Sequence, residues 1–412
     1  MREINLIIFA GLVLVCLLSG SCSSGQDYNS RLNSITKPYL FSIAGWELKA
    51  ISQEINQWIF SGQEESNDEV QIVIEYYNSA KQIKTLKSEI ELTNAENRED
   101  TLGSLEEELI KLQEQNTALK GRVERIIEKQ IRKTLVQQDI YNPLTEININ
   151  FPPVNLRLEQ LPCVLVISPR DRIESIREIT LKPSLTIEER VNIENRADEL
   201  GISSLVVEIG GVATYPQLID SEASLRFTLD TAVEEWVHQY LAFKPLGFRY
   251  VLDLTGISRN YEIATMNETL AGMVSKEIGS MVYENYYSEY DDGNGQVLES
   301  EFDFNQEMRE IRKAVDGYLA RGEVETAEDF MEQKRQYLVS IGYYIRKLNQ
   351  AYFAFHGTYA DKPSSVSPIG LELKELRNQS ASLKDFLDAA AAMTSRQDLI
   401  DNVRENTAGN EN

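Results

Sequence analysis

The chain has 412 residues, of which 42% are hydrophobic, enough for two or three folded domains or one large core with an appendage. Its 65 acidic and 41 basic residues give a net charge of −24, which excludes the basic surface that nucleic-acid binding requires. Only one long apolar run occurs, which excludes a multi-span membrane protein. The only histidines are His238 and His356, so a metal site built from three histidines is excluded as well.

Residues 1–22 have the layout of a secretory signal: Arg2, an apolar run from Ile4 to Leu18, small residues and then Cys22. A cysteine directly after small residues resembles a bacterial lipoprotein cleavage site, which predicts lipidation of Cys22. Leu18 lies four residues before Cys22, where such sites usually carry leucine three residues before, so an uncleaved anchor and free secretion remain alternatives. All three interpretations place the rest of the chain outside the cytoplasm, and we expect it to be anchored to the bacterial cell membrane.

Residues 23–40 are polar and predict a tether, and residues 41–140 predict a helical hairpin or coiled coil. Apolar residues with helical spacing occur in 41–60 and 70–92. The clearest seam alternates steps of three and four residues and includes one polar position: Leu102, Leu105, Leu109, Leu112, Asn116, Leu119, Val123 and Ile126. This seam could close on the 70–92 helix of the same chain or on a second copy.

After the prolines near residue 150 the pattern changes to short apolar strands between helices, which predicts an α+β, mostly helical fold with a small sheet. We expect residues 150–282 to form a metallopeptidase-like α+β domain, 298–398 a helical C-terminal lobe and 402–412 a disordered tail. Cys163 lies in an apolar strand pattern and is interpreted as a buried small hydrophobe.

One helical stretch carries the residues that point to chemistry. Glu234 and His238 are four residues apart and therefore share a helix face, with Glu235 at its edge. In the zinc-peptidase pattern H-E-x-x-H, two ligands one turn apart flank a glutamate that takes a proton from metal-bound water. Here Glu235 and His238 are in register with that pattern, and Glu234 replaces the first histidine. Glu268, on a second predicted helix, can supply the third ligand.

A surface pair of a carboxylate and an imidazole would show the same spacing by chance. The helix also carries Val233, Trp236, Val237 and Tyr240, however, so it is predicted to be largely buried. Carboxylates and an imidazole on a buried helix need partners, and a metal ion is a common one. The sequence therefore predicts a metal site at Glu234, His238 and Glu268.

The segments EEWVHQYLAFKPLG and MNETLAGMVSKEIG resemble the pattern HEWxHxYLxFxPLG…NETxAxxxxxEIG of bacterial, membrane-associated zinc-metallopeptidase-like proteins of the gluzincin type. The later segment IRKLNQAYFAFHGTYADKPSSVSPIG resembles the C-terminal helical part of the same proteins, so the resemblance covers roughly 150–395. It implies metal ligands at Glu234, His238 and Glu268, with Glu235 as the general base. The glutamate at 234 departs from the family's histidine.

Replacing a histidine ligand by Glu234 changes the expected chemistry. Two carboxylates neutralise a divalent ion, which then acidifies bound water less and polarises a carbonyl less. More oxygen ligands also favour harder ions, so the expected cofactor is Zn²⁺ or another divalent metal such as Mn²⁺. The hypothesis is a site that binds metal and hydrolyses peptides slowly, or that has become a binding module.

Two further features have alternative interpretations. His356 lies among aromatic residues and could donate to the oxyanion of a tetrahedral intermediate, or it could be an ordinary histidine of the core or a loop. The segment 206–216 could be an edge strand that pairs with an extended peptide, or an internal strand and turn.

Two functions follow from the sequence. The first is an extracytoplasmic, membrane-anchored metallopeptidase-like protein that acts on a peptide or protein substrate. The second is a non-hydrolytic envelope scaffold, in which a degenerate metallopeptidase domain is joined to a coiled coil that recruits partners or a second copy. The retained Glu235, His238 and Glu268 favour the first function, and Glu234 favours the second.

Overall fold

The computed structural model describes residues 26–41, 68–95, 99–144, 148–290, 302–357 and 367–410. Within these ranges it contains 13 α-helices and two three-stranded sheets, which confirms the predicted α+β, mostly helical fold. The leader with Cys22, most of the predicted 41–60 helix and the acidic loop after Tyr290 lie outside the described residues.

The helices are α1 Gln26–Thr36, α2 Asp68–Ala95, α3 Glu99–Gln137, α4 Ile187–Asp198, α5 Leu225–Leu241, α6 Pro245–Leu254, α7 Tyr261–Tyr287, α8 Phe304–Ala320, α9 Val324–Ser340, α10 Gln350–His356, α11 Ile369–Gln379, α12 Leu383–Ala391 and α13 Arg396–Asn410. The strands are β1 Leu156–Glu159, β2 Cys163–Pro169, β3 Arg177–Leu181, β4 Ile202–Glu208, β5 Gly211–Val212 and β6 Gln217–Asp220. One sheet has the order β3-β2-β4 and is antiparallel, and the other has the order β1-β6-β5 with β1 parallel to β6. Among the described helices, none is both long and apolar enough to cross a bilayer.

The predicted hairpin is formed by α2 and α3, which pack against each other within the chain. Its base belongs to the largest apolar cluster, here called the central core, where Val73 and Tyr76 of α2 join Val123 and Ile127 of α3. In the N-terminal half of α3, away from this core, the seam residues Leu105, Leu109 and Leu112 are only half-buried. The part of the seam that reaches the core thus closes within the chain, and self-association stays a prediction.

Carboxylates of α3 hold the outer edge of β1. Glu124 accepts a hydrogen bond from the Leu158 amide and Glu128 accepts one from the Leu156 amide, each over 2.9 Å. Arg157 lies 3.4 Å from Glu124, which compensates part of the buried negative charge. Burial raises the pKa of Glu128 to about 7, and the charge of Glu124 adds to this effect.

Helix α1 corrects the prediction of a tether over 23–40. Leu32 and Ile35 are buried against Leu165 and Ile179 of the β3-β2-β4 sheet. The amide of Phe41 also donates to the carbonyl of Thr180 over 3.2 Å. Leu32 and Ile35 give this polar segment one apolar face, and Arg177 of β3 adds hydrogen bonds to Asn29 and Asn33 over 3.0 and 3.3 Å.

The predicted C-terminal lobe divides between two clusters. Helices α8 to α10 form their own apolar cluster. Arg170, which directly follows β2, binds Glu328 of α9 through two hydrogen bonds of 2.8 and 2.6 Å. Helices α11 to α13 instead contribute to the central core. Between α9 and α10 the helical course of this lobe is interrupted at Gly342, whose φ of +98° is incompatible with helix continuation.

A disordered tail was predicted over 402–412, and the structure instead continues α13 as helix to Asn410. Leu399 is fully buried in the central core, and Asn402 donates to the carbonyl of Asp398 over 2.8 Å. The first turns of α13 are therefore held against the central core.

The contact between α3 and β1 makes stability depend on pH. In the folded state Glu128 has a pKa of about 7, above its ordinary value of 4.5, so the unfolded chain releases this proton at lower pH than the folded protein does. The ionisation of Glu128 therefore leaves the free energy of unfolding unchanged at low pH and lowers it as the pH rises from about 4.5 to about 7. We expect Glu128→Gln to be more stable than the native protein at pH 8, by on the order of 2 kcal/mol, and the difference to vanish at low pH.

Urea unfolding of both proteins between low pH and pH 8 measures this difference in stability, and the exposed Glu107→Gln of the same helix is the control. A pH-independent difference would contradict the assignment.

Candidate metal centre

The candidate ligands lie on α5 and α7, and each helix start is fixed by a capping residue. Ser224 Oγ accepts from the Phe227 amide over 3.3 Å, and Asn260 Oδ1 accepts from the Ile263 amide over 3.1 Å. Trp236 is buried in the central core, and its Nε1 donates to the carbonyl of Pro152 over 2.8 Å. Because this side of α5 is held in the core, the neighbouring side with Glu234 and His238 turns toward α7.

The structure brings the three predicted ligands together. One ligand atom from each of Glu234, His238 and Glu268 lies within 4.8 Å of the other two. The Nε2 atom of His238 is 3.8 Å from Oε2 of Glu268, and both side chains are 11% exposed. Two carboxylates and an imidazole at this spacing form a donor set suited to a divalent cation.

Asn267 orients the imidazole. Its Oδ1 lies 2.8 Å from Nδ1 of His238, and the residue is fully buried. An amide oxygen can only accept, so Nδ1 of His238 carries the hydrogen and donates it. The lone pair of neutral His238 is then on Nε2, which faces Glu268 and is available to a metal.

Tyr250 of α6 holds the third predicted ligand, because its hydroxyl donates to Oε1 of Glu268. Its ring lies 5.9 Å from the His238 ring, centroid to centroid. Burial raises the pKa of Tyr250, and the negative charges of Glu268, Glu178 and Glu235 raise it further. The hydroxyl therefore stays protonated and remains a donor, leaving Oε2 of Glu268 for a cation.

Glu178 of β3 faces the same site from the other sheet. Partial loss of hydration raises the pKa of its carboxyl, and the negative charge of Glu268 raises this pKa further, whereas Arg259 lowers it. Glu178 is nonetheless exposed to water at its end of the cleft. The charge of Glu178 also raises the pKa of Tyr250, so β3 contributes to the electrostatic surroundings of the site.

The predicted general base Glu235 lies beside the cluster, on a neighbouring face of α5. Burial raises the pKa of Glu235 well above its ordinary value, and the charges of Glu234 and Glu268 act in the same direction. Its carboxylate lies against β5: a Cβ atom built on Gly211 would overlap Oε1 of Glu235 and lie 2.5 Å from Cγ2 of Thr231. Glycine at 211 is what allows the strand to approach this face.

The segment 206–216 contains an edge strand of each sheet, and the two edges differ in their hydrogen-bond partners. On β4 the Val206 amide donates to Glu194 over 2.6 Å, and the Val206 carbonyl accepts from Arg346 over 3.0 Å. Strand β5 pairs with β6 and with no other described strand. Of the two, β5 beside Glu235 is the edge suited to an extended peptide, as the first interpretation of this segment requires.

The predicted catalytic residue His356 lies apart from this group of ligands, and so does Glu277, a further carboxylate of α7. His356 ends α10 with its ring 4.4 Å from that of Tyr352, in a half-buried position, and is not a member of the metal-ligand group found among the described residues. Glu277 lies farther along α7 and binds Arg377 through hydrogen bonds of 2.8 and 2.9 Å. The contacts of His356 favour an ordinary histidine packed on aromatic residues, and Glu277 joins α7 to α11.

The sequence did not indicate roles for Tyr250, Glu178 or Gly211. Tyr250 and Glu178 reach the site from separate elements, so no spacing relative to His238 could reveal them. The pair Gly210-Gly211 is typical of a turn in the sequence, but nothing in the sequence indicated that it contacts α5.

Comparisons with known proteins return no match: no family model, no curated protein and no solved structure corresponds to this chain.

The close approach at Gly211 yields a prediction. Gly211→Ala places a methyl group against Thr231 and Glu235, so we expect a loss of about 1–3 kcal/mol in the free energy of unfolding. Gly317→Ala is the control, because its nearest neighbour would be Arg321 Nη1 at 3.6 Å and helical alanine is favourable. Denaturant unfolding of both variants measures the difference. Equal stability of the two would show that β5 does not press on α5.

A second prediction concerns Tyr250. Tyr250→Phe removes only the hydroxyl that holds Glu268, so we expect divalent metal affinity to fall by about tenfold or more. Tyr261→Phe is the matched control, since the Tyr261 hydroxyl donates to the carbonyl of Gly357 over 3.3 Å and not to a ligand. Competition with a chromophoric chelator gives both affinities. An equal effect of the two changes would rule out a positioning role for Tyr250.

Proposed function

We infer that this protein is a metal-dependent peptidase-like protein that acts outside the cytoplasm and is anchored to the membrane at its N-terminus. The single observation that carries the inference is the convergence of Glu234, His238 and Glu268 to within 4.8 Å, with Glu235 beside them. The leader sequence ending at Cys22 supports the location, and the motif resemblance supports the reaction class.

Each residue has a distinct part in the proposed reaction. Glu234, His238 and Glu268 would hold Zn²⁺ or Mn²⁺, which when bound supplies an acidified water and polarises the peptide carbonyl. Glu235 accepts the proton of the attacking water and passes it to the leaving amine. The raised pKa of Glu235 makes its carboxylate a stronger proton acceptor than an ordinary glutamate.

The edge of β5 supports a peptide as substrate. An extended peptide can add to an unpaired strand edge through main-chain hydrogen bonds, which are independent of its side chains. Strand β5 lies against Thr231 and Glu235, so a peptide bound there would pass the proposed base. Gln239 holds the end of this segment by donating to the carbonyl of Thr214.

Glu234 determines how active the site is. With two carboxylate ligands the charge of a divalent ion is formally neutralised, and bound water is less acidic than in a site with two histidines. The proposed hydrolysis is therefore slow, and oxygen-preferring ions such as Mn²⁺ compete well with Zn²⁺.

The second candidate function is a non-hydrolytic envelope scaffold. Glu234 favours the scaffold function, because a carboxylate stands where the zinc-peptidase pattern has a neutral histidine, and this lowers the Lewis acidity of a bound ion. The hairpin of α2 and α3 also favours it, since its seam residues Leu105, Leu109 and Leu112 are only half-buried. In this case the α+β part would bind a partner without cleaving it, and the hairpin would recruit a second copy or another protein.

Metal analysis and peptide hydrolysis of three proteins separate the two functions. We expect the native protein to bind about one divalent ion and to cleave peptides slowly. Glu235→Gln should keep the metal and lose about 10²–10⁴-fold in rate, because only the base is removed. Glu234→His should raise the rate, because it restores a neutral ligand.

Two outcomes would contradict the slow-peptidase proposal. Absence of metal from both the native protein and Glu234→His would leave the scaffold function. Rapid hydrolysis by the native protein with one bound zinc, abolished in Glu235→Gln, would refute the slow site and show an ordinary peptidase. His238→Ala is the control for specific binding, since it removes the one neutral ligand.

A further inference from the structure

Phe227 is an exposed aromatic residue on the same face of α5 as two of the candidate ligands. It lies two helical turns before Glu234 and three turns before His238, so all three side chains project from one side of the helix. Phe227 is 46% exposed. At 1.5 Å per residue it is about 10 Å from Glu234 along the helix axis. The ligand face therefore continues toward the start of α5 with an apolar group that faces water.

Two contacts hold Phe227 in this position. Its amide donates to Oγ of Ser224 over 3.3 Å, which fixes the first turn of α5. A Cβ atom built on Gly210 would lie 2.5 Å from Cζ of Phe227, so the ring packs directly on the backbone that leads into β5. The ring of Phe227 and the edge of β5 are therefore adjacent.

The backbone that contains β5 runs along α5 in the same direction as the helix. Three contacts occur in the same order in the two segments: Gly210 with Phe227, Gly211 with Glu235, and Thr214 with Gln239. The strand and the helix therefore progress together from the start of α5 toward the ligands. A peptide that pairs with β5 would follow the ligand face of the helix.

The free edge of β5 offers the main-chain groups of Gly211 to such a peptide. The carbonyl of Gly210 accepts from the Asp220 amide of β6 over 3.2 Å. Alternate residues of an antiparallel strand bond to opposite sides, so the amide and carbonyl of Gly211 point away from β6. No other described strand pairs with β5 on that side. Antiparallel pairing is the more stable kind, and it directs the C-terminal part of the peptide toward Phe227.

We propose that Phe227 determines specificity by binding an apolar side chain of the substrate about three residues after the cleaved bond. At 3.4 Å per residue an extended peptide covers the distance of about 10 Å between Glu234 and Phe227 with about three residues. Packing of that side chain on the ring removes apolar surface of both from water. The proposal rests on the proposed function, because the metal ligands and Glu235 define where the bond is cleaved.

The surroundings of Phe227 favour a single peptide side chain as its occupant. In the fully described stretch 192–247, Phe227 is the one large hydrophobic residue that is exposed. A second copy of the chain or a broad protein interface would require a wider apolar surface. An isolated ring beside free main-chain groups instead matches an extended peptide, in which hydrogen bonds hold the backbone and one pocket selects a side chain.

Cleavage of designed peptides tests the proposal with the full-length chain supplied with Zn²⁺ or Mn²⁺. The peptides consist of serine, glycine and asparagine, with one leucine placed at each position in turn, and mass spectrometry of the products identifies the cleaved bond. We expect the highest kcat/KM where leucine lies about three residues after that bond. The gain over the all-polar peptide should be about tenfold, the discrimination that a small apolar contact provides.

Variants of Phe227 separate selection of a side chain from support of the fold. Phe227→Ala should lose the preference, so that leucine and all-polar peptides are cleaved at similar rates, whereas Phe227→Leu should keep most of it. Tyr337→Ala on α9 removes a ring that is 44% exposed and is the matched control, which should keep the native preference. A residue that only supported the fold would slow both peptides by the same factor.

Three outcomes would overturn the proposal: fastest cleavage with leucine before the bond, an unchanged preference in Phe227→Ala, or a native dimer that becomes monomeric in Phe227→Ala. If no peptide is cleaved, the proposed hydrolysis fails, and the binding of the same peptides is measured by fluorescence anisotropy. A leucine-dependent affinity that falls about tenfold in Phe227→Ala would then support the role of Phe227 on its own. Equal affinity of the leucine and all-polar peptides for the native protein would overturn it.

Discussion

The packing of α5 against α7 is the contact on which the candidate site depends. His238 meets Asn267 and Glu268, while Asp230, two turns earlier on α5, lies against Gly279 of α7. The helices therefore run antiparallel, and glycine at 279 lets them approach closely. Acidic and imidazole groups are enclosed between two helices whose other faces lie in the central core.

Enclosing these groups has an electrostatic cost that shapes the site. Glu178, Glu235 and Tyr250 all have raised pKa values, and for each the charge of Glu268 contributes after burial. Carboxylates this close cannot all be ionised in a low-dielectric setting without a compensating cation. The proposed divalent ion would supply that positive charge, and a site so rich in carboxylates would leave the ion with little Lewis acidity.

The rest of the chain supports this contact from two sides. The hairpin of α2 and α3 packs into the central core, and Glu124 and Glu128 bind the amides of β1, so the sheet that carries β5 is held in place. Helices α11 to α13 cover the other side of α7. Helices α8 to α10 share their own apolar cluster, and α10 also packs on the β3-β2-β4 sheet, where Ala351 meets Val166 and Leu205. The pair of Arg170 and Glu328 joins α9 to the end of the same sheet.

Local patterns in the sequence determined the helices with a clear apolar period, the hairpin seam and the two-helix origin of the ligands, because each depends on spacing of three or four residues along one helix. The sequence alone also indicated that Glu234, His238 and Glu268 belong together, since a buried imidazole and carboxylates require partners. Only the tertiary structure decided that Tyr250 binds Glu268, that Glu178 comes near enough for the charge of Glu268 to act on it, and that α1 docks on a sheet. These outcomes rest on contacts between residues distant in sequence, where an amphipathic or polar segment carries no record of which surface it meets.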